Sequence, residues 1–444
     1  MATLFGGHDV EKAAYMTCGI SRTEEETRLL VRSVTPVETA DIISESPTHI
    51  SIRARSYLAA LKNAHVREEA FVFVHSHPRG FPEHSPQDDV EEEALFRTAH
   101  VRVRGVPVHA SIIFSKPGAV TGRVWLPNGS TAPLARVRVI GNRFRFFDAE
   151  ASSEVAQWTD RQVRALGHEI QSLLGRLTVG VVGVGGTGSA VFEQLVRLGV
   201  GRIIVTDPDT FDPTNVNRVY GSRLADAGRR KVEVTTRLAE GIGVGTRVDA
   251  VHGSLTSESV ARAFRECDVL FGCTDDQWGR SILTRFALRY LIPVFDMGVA
   301  IDAPEQVIST IQGRVTTLLP GRACLFCRDR ISAERVTAES VASIDPDRAA
   351  QLRREGYAPD LDDPAPAVIP FTSAVAAAAI TEFLHRLTGC LGADRHSSET
   401  LLLISDSRMR TNDRLSTDDC FCGRQEYWGR GDSARFLDLS WRPE

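Results

Sequence analysis

No apolar run in the 444 residues approaches the roughly 18 that a membrane-spanning helix needs, so no membrane partner is expected. The opening stretch MATLFGGHDVEKAAYM lacks the basic-then-apolar form of a secretory signal, which points to the cytoplasm. Cysteine is sparse. Eight in a chain this long are no disulfide framework, and two close pairs, Cys324 with Cys327 and Cys420 with Cys422, look like metal ligands in a reducing compartment. Positive charge is not in excess either: a formal net charge of -5 argues against a nucleic-acid surface as the main business. What remains is ordinary for soluble globular protein, 42% hydrophobic and 25% charged. The length exceeds the roughly 250–300 residues one core usually serves, so two domains are expected.

The middle of the chain carries the strongest pattern. Thr178–Val182 is a short apolar run of the kind that forms a buried parallel strand. Gly183-x-Gly185-Gly186-x-Gly188 follows, then an apolar-periodic helix over Ala190–Leu198, then a second strand, Arg202–Thr206, ending on Asp207-x-Asp209. Strand, glycine turn, helix and strand make one βαβ unit. Glycine lets backbone approach a phosphate closely, and the helix N-terminus adds N–H donors and partial positive charge. An acidic residue at the end of the second strand is placed to bind ribose hydroxyls. Asn215-x-Asn217-Arg218 comes next, and Lys231 stands thirteen residues after Arg218. A redox dinucleotide does not require a converging Arg and Lys. A triphosphate does, because charge moves onto the departing pyrophosphate.

These residues resemble the ubiquitin-activating family, which includes the sulfur-carrier activators ThiF and MoeB. Upstream, Arg161-Gln162-Val163-Arg164 looks like that family's opening segment, in a helix expected over Arg161–Leu174. Downstream, Cys273-Thr274-Asp275-Asp276 follows the apolar strand Val269–Gly272, and Arg280 and Ile292–Gly298 continue the pattern. The resemblance implies an ATP site. Gly183, Gly185, Gly186 and Gly188 would cradle phosphates, and Asp207 or Asp209 would hold ribose. Asn215, Asn217, Arg218 and Lys231 would contact phosphates, Asp275 would bind Mg2+, and Arg161 would complete the site of a homodimer partner.

The first 150 residues hold a second constellation. Phe71–Val74 is an apolar strand running into His75-Ser76-His77-Pro78, and residues i and i+2 of a strand share a face, so both imidazoles can meet one metal ion. Seven residues separate His77 from Ser85, and Asp88 stands three further on. Ser85-Pro86-Gln87-Asp88 is also a good helix start, with Ser at N-cap and Pro at N1, and a helix is expected over Pro86–Thr98. Capping has no use for two histidines, however. The spacing resembles the JAMM motif of JAB/MPN metalloproteases, which release ubiquitin or similar proteins from C-terminal extensions or from the molecules joined to their C-termini. By that resemblance His75, His77 and Asp88 hold a catalytic Zn2+, Ser85 stabilises an oxyanion, and Glu11 is general base toward water on the metal, with Glu24, Glu25 and Glu26 as alternatives. His84 and His109 read as structural or substrate-facing. Val101–Phe114 and Arg136–Phe147 read as strands, separated by the bend Leu126–Pro133, and Asp148–Asp160 as a linker.

Cys324, Cys327, Cys420 and Cys422 would converge on a tetrahedral structural zinc that clips the C-terminal tail to its domain, although the family usually shows Cys-x-x-Cys twice. Arg328–Pro370 is a charged stretch with weak helical periodicity, and by resemblance it is the crossover loop over the tail of a bound ubiquitin-like protein. Relatives that form a thioester carry a cysteine in or near this loop. None occurs from Arg328 through Gly389, which leaves Cys390, after the helix Ser373–Leu387, as the candidate thiol. The expectation is an α/β chain. A JAB/MPN-like α/β metalloprotease domain over 1–150 precedes a Rossmann-like ThiF-type adenylation domain over 155–444. Its partners would be a ubiquitin-like modifier ending in glycine and a conjugating enzyme, and the rival readings are a sulfur-carrier activator and a non-catalytic adaptor.

Overall fold

The structure, a computed structural model, describes residues 9–115, 118–149, 155–354, 366–433 and 435–441. The expected linker therefore includes residues, 150–154, that lie outside the description, as do 355–365 of the expected crossover loop. Two compact units divide the chain: Met1–Val139, Arg145–Ala151 and Trp428–Phe436 form the first, and Ile140–Phe144, Ser152–Tyr427 and Leu437–Glu444 the second.

In the first unit, β1 (Ala13–Arg22) and β2 (Thr27–Pro36) form a long antiparallel hairpin. A small ribbon, β3 (Ile42–Ser46) with β4 (His49–Ile52), leads to α1 (Ala54–Arg67). Next comes β5 (Ala70–His77), antiparallel to β1 and parallel to β6 (His109–Ser115), with α2 (Pro86–Arg102) as the crossover. Together with β7 (Val120–Trp125) and β8 (Thr131–Pro133) they make a six-stranded sheet in the order β2-β1-β5-β6-β7-β8. The unbroken apolar run of β5 suits a strand covered on both faces, and Phe71 and Val74 are buried with Leu61 and Phe96 from the two helices. Burying each such side chain contributes about 1.5–3 kcal/mol. The Trp428–Phe436 segment returns to this unit, where Gly431 bridges Ile20 and the Asp432 N–H donates to the Ile20 carbonyl at 2.7 Å.

Three expected elements are differently built. Val101 and Arg102 close α2, so the strand expected over Val101–Phe114 begins only at His109. The strand expected over Arg136–Phe147 is a hairpin of β9 (Arg136–Val139) and β10 (Arg145–Asp148). The helix expected over Arg161–Leu174 breaks at Gly167, whose φ of 85° and ψ of 158° divide it into α3 (Asp160–Leu166) and α4 (His168–Leu174).

The second unit is an α/β fold of Rossmann-like order. Its strands are β11 (Thr178–Val182), β12 (Arg202–Asp207), β13 (Arg247–His252), β14 (Val269–Gly272) and β15 (Val294–Asp302), all parallel in the order β13-β12-β11-β14-β15. The helices between them are α5 (Gly186–Leu198), α6 (Lys231–Ile242), α7 (Glu258–Ala263) and α8 (Gln277–Arg289). Beyond β15 the sheet continues antiparallel through β16 (Thr310–Leu318), β17 (Glu399–Leu403) and β18 (Arg408–Asn412). The charged stretch after Arg328 contains α9 (Ala333–Ile344) and α10 (Pro346–Arg354), so more of it is helical than its weak periodicity implies. Apolar α11 (Ile369–Thr388) lays Phe383 edge-on to Phe271 and Phe295, with ring centroids 5.8 and 6.1 Å away. Strand order reverses between β11 and β14, and in such sheets the crevice beyond the carboxyl ends of those strands is where ligands bind. No helix among the described residues is long and apolar enough to cross a membrane.

Candidate functional site

The glycine turn sits at that reversal. Gly183 has φ 84° and lies against the Cys273 carbonyl, so neither the conformation nor the space suits a side chain. An added Cβ at Gly188 would collide with the Gly183 carbonyl. Gly185 caps α5, whose first residue is Gly186. Asp207, buried at the end of β12, holds the turn from below: one carboxylate oxygen accepts from the Val184 N–H at 2.8 Å and the other from the Asp209 N–H at 2.9 Å. Burial raises its pKa against the pull of Lys231 and these two N–H groups. Asp209 is exposed instead, and its carboxylate takes the Lys231 Nζ at 2.6 Å, with Asp207 3.8 Å from the same nitrogen.

Arg218 lays its side chain over Gly186, where an added Cβ would be 3.3 Å from Cδ. The guanidinium donates to the Thr214 carbonyl at 2.9 Å and to Asn217 Oδ1 at 3.1 Å. Buried Asn215 turns its side chain into its own turn, where Oδ1 accepts from the Asp212 N–H at 3.2 Å. After β14, Asp276 serves as N-cap of α8, accepting from the Gly279 N–H and the Thr274 hydroxyl, while Asp275 is exposed and has no hydrogen bond or ion pair to the described residues. The four glycines, Asp207, Asp209, Arg218 and Lys231 thus gather around one turn, and the loop carrying Asp275 borders it. Arg161 is exposed on α3, apart from these contacts.

Four cysteines meet in the same unit. Cys324 Sγ lies 3.8 Å from Cys327 Sγ and 3.6 Å from Cys420 Sγ, and Cys327 Sγ lies 3.4 Å from Cys422 Sγ. Thiolates at the usual distance from a tetrahedral zinc stand about 3.8 Å apart, so the donor set fits that ion. A hydrogen bond from Cys422 holds the Cys324 thiol below its ordinary range. The Cys-x-Cys spacing of the second pair is therefore no obstacle to convergence. Exposed Cys390 follows α11.

In the first unit β5 presents His75 and His77 on one face, their Nε2 atoms 3.1 Å apart. Two imidazoles on one tetrahedral zinc bring their nitrogens to about 3.3 Å. His77 Nδ1 donates to the Phe81 carbonyl at 2.8 Å, which leaves the Nε2 lone pair for a metal. Asp88 reaches both rings, 3.4 Å from His75 Nε2 and 3.7 Å from His77 Nε2. The helix start is real as well: Asp88 accepts from the Ser85 N–H and hydroxyl, both at 2.7 Å, and the Asp88 N–H donates back to Ser85 at 3.2 Å. Glu11, buried just before β1, comes within 3.8 Å of His77 Nε2, and burial pushes its pKa up to about 7 despite the nearby His75. Glu26 is occupied elsewhere, with Arg28 and Arg138. Glu11, His75 and His77 form a group able to hold a metal ion.

His109 and His84 both have partners within the first unit. Fully buried His109 accepts the Phe71 N–H on Nδ1 at 3.0 Å. His84 shares Ser111 with Glu92, at 3.2 Å from the hydroxyl, and Ser111 donates to Glu92 at 2.6 Å. Buried Glu92 carried no sequence signal, because it stands in a helix full of solvated acids. Asp296, which meets both Arg280 and Arg314, was silent for a related reason: its partners are distant in sequence.

The family described as the ThiF family matches residues 159–422, more than half of the chain. A tRNA threonylcarbamoyladenosine dehydratase of Bacillus subtilis is 38% identical over 32% of this chain and 56% of its own length. A SAMP-activating enzyme E1 of Haloferax volcanii is 27% identical over 36% and 57%. A sulfur carrier protein adenylyltransferase of Thermus thermophilus is 32% identical over 29% and 44%. The chain spans about half the length of these relatives.

Proposed function

The chain belongs to the ThiF family, and on that premise we propose that its second unit uses ATP to adenylate the C-terminal glycine of a ubiquitin-like or sulfur-carrier protein. What supports the reading most is the gathering of Arg218 and Lys231 with two aspartates on one glycine turn. In the reaction a carboxylate oxygen attacks the α-phosphorus, the bond to the β-phosphate oxygen breaks, and pyrophosphate leaves with that electron pair. The turn and the N-terminus of α5 offer donors to the phosphates. Lys231 and Arg218 neutralise the charge building on pyrophosphate. Asp207 or Asp209 would take the ribose hydroxyls: Asp207 holds the turn with one N–H on each oxygen, and Asp209 carries Lys231. Asp275, without a hydrogen bond or ion pair among the described residues, would hold Mg2+, which supplies charge neutralisation across the phosphates. Arg161 would complete the site of a second copy in a homodimer, and a conjugating enzyme would receive the product.

For the first unit the same proposal assigns a zinc peptidase of the JAB/MPN kind, trimming the modifier's precursor or removing it from conjugates. His75, His77 and Asp88 would hold the ion, which when bound polarises a carbonyl and acidifies water. Glu11, buried 3.8 Å from His77 Nε2, would accept and return a proton. Ser85 would turn its hydroxyl from Asp88 toward an oxyanion. A second reading, carrier activation without conjugation, is favoured by one observation: no cysteine stands between Arg328 and Gly389.

ATP–pyrophosphate exchange with candidate carriers ending in glycine tests the activating step. Exchange should depend on the carrier's free C-terminus and fall about 100-fold or more in Lys231→Ala. No exchange with any such carrier would leave an adaptor as the better account. Intact-mass analysis without reductant separates the two readings, because a thioester adduct lost in Cys390→Ala would favour conjugation.

A further inference from the structure

Arg280 lies in the first turns of α8, and its guanidinium reaches back to the loop that leaves β14. Nε donates to the Thr274 carbonyl at 3.1 Å, and Nη2 donates to the Met297 carbonyl on β15 at 2.8 Å. The same group faces the Asp296 carboxylate at 3.5 Å. Asp296 is fully buried, and its other oxygen takes Arg314 Nη1 at 2.5 Å. Arg314 is in turn fastened to Thr316, which donates to buried Glu399 at 3.1 Å. A buried carboxylate is strongly unfavourable unless cations surround it, so this cluster holds Arg280 in one place.

The consequence falls on the next residue in the chain. Thr274 precedes Asp275, the exposed carboxylate with no partner among the described residues. Fastening the carbonyl just before it to β15 limits the directions the Asp275 side chain can take. A carboxylate already oriented loses less freedom when it meets a cation. Resting on the ATP-dependent reading of this unit, we propose that Arg280 is the positioning residue for Asp275 and sets the affinity of the site for the magnesium that accompanies ATP.

The test uses the full chain and a non-hydrolysable ATP analogue, with binding measured by calorimetry across a magnesium chloride series. Arg280→Gln should raise the half-saturating magnesium concentration about tenfold, as loss of an outer partner does at other metal sites, and leave nucleotide affinity at saturating magnesium nearly unchanged. Arg280→Lys keeps a charge opposite Asp296 but cannot span two carbonyls, so it should shift the midpoint in the same direction by less. It also decides the matter if circular dichroism shows the Gln variant unfolded. In an Asp275→Asn background the Arg280 effect should vanish, because the two act through one group. An unchanged midpoint in both Arg280 variants, or full additivity with Asp275→Asn, overturns the inference alone. Absence of nucleotide binding by the unaltered protein at any magnesium concentration overturns it together with the activating function.

Discussion

His109 makes a quantitative demand on the stability of the first unit. Its ring is fully buried, it accepts the Phe71 N–H on Nδ1, and burial, reinforced by neighbouring His100, lowers its pKa to about 3. The ring centroids of the two histidines are 4.5 Å apart. In the unfolded chain the same group titrates near its ordinary value of about 6.5. Between those two values the unfolded state binds the extra proton, so the stability supplied by neutral His109 is present above pH 6.5 and is lost as pH falls. The shift amounts to roughly 2 kcal/mol at pH 5 and roughly 3 kcal/mol at pH 4, a large share of an ordinary domain's stability. His109→Asn replaces the acceptor with an amide oxygen that does not titrate, at some loss of packing. Urea unfolding of the full chain at pH 7 and pH 5 should therefore show the wild type losing about 2 kcal/mol more than His109→Asn between the two conditions. Other histidines titrate in both proteins and cancel in the comparison. Equal losses would refute the argument that burial at this position holds the imidazole neutral.

Two more outcomes are expected from the geometry. The purified chain should carry about two zinc ions by elemental analysis, with about one lost in the double variant His75→Ala/His77→Ala and the other in Cys324→Ser/Cys420→Ser. Only the cysteine variant should also lower the unfolding temperature markedly, since those ligands join segments nearly a hundred residues apart. Gly188→Ala should cost about 1–3 kcal/mol and abolish nucleotide binding, because the added methyl group collides with the Gly183 carbonyl; unchanged binding would mean the turn does not cradle phosphate.

How much was legible beforehand depended on how local each cause was. Strands β11 and β14 lie where their apolar runs predict, because a run of that kind has few other uses in a parallel sheet. Helix α2 begins at its cap, Ser85, but runs four residues past Thr98, since no stop signal precedes the Gly105 turn. The break at Gly167 was invisible, because glycine inside a helical period is as often tolerated as not. In the sites, Asp207 and Asp209 could not be told apart by spacing. In the structure Asp207 is buried and accepts two N–H groups, whereas Asp209 is exposed.

By itself the sequence determined the glycine turn, the spacing of the histidines, the two cysteine pairs and the order of strands around them, because each depends on residue type and separation along the chain. The meeting of the four cysteine sulfurs and the approach of Glu11 to His77 were expected from the sequence and realised by packing, whereas tertiary structure alone decided that Trp428–Phe436 returns to β1 and that Asp296 gathers Arg280 and Arg314. Those contacts join residues far apart in the chain, and only packing sets which distant side chains share a low-dielectric interior where an unpaired charge cannot stay.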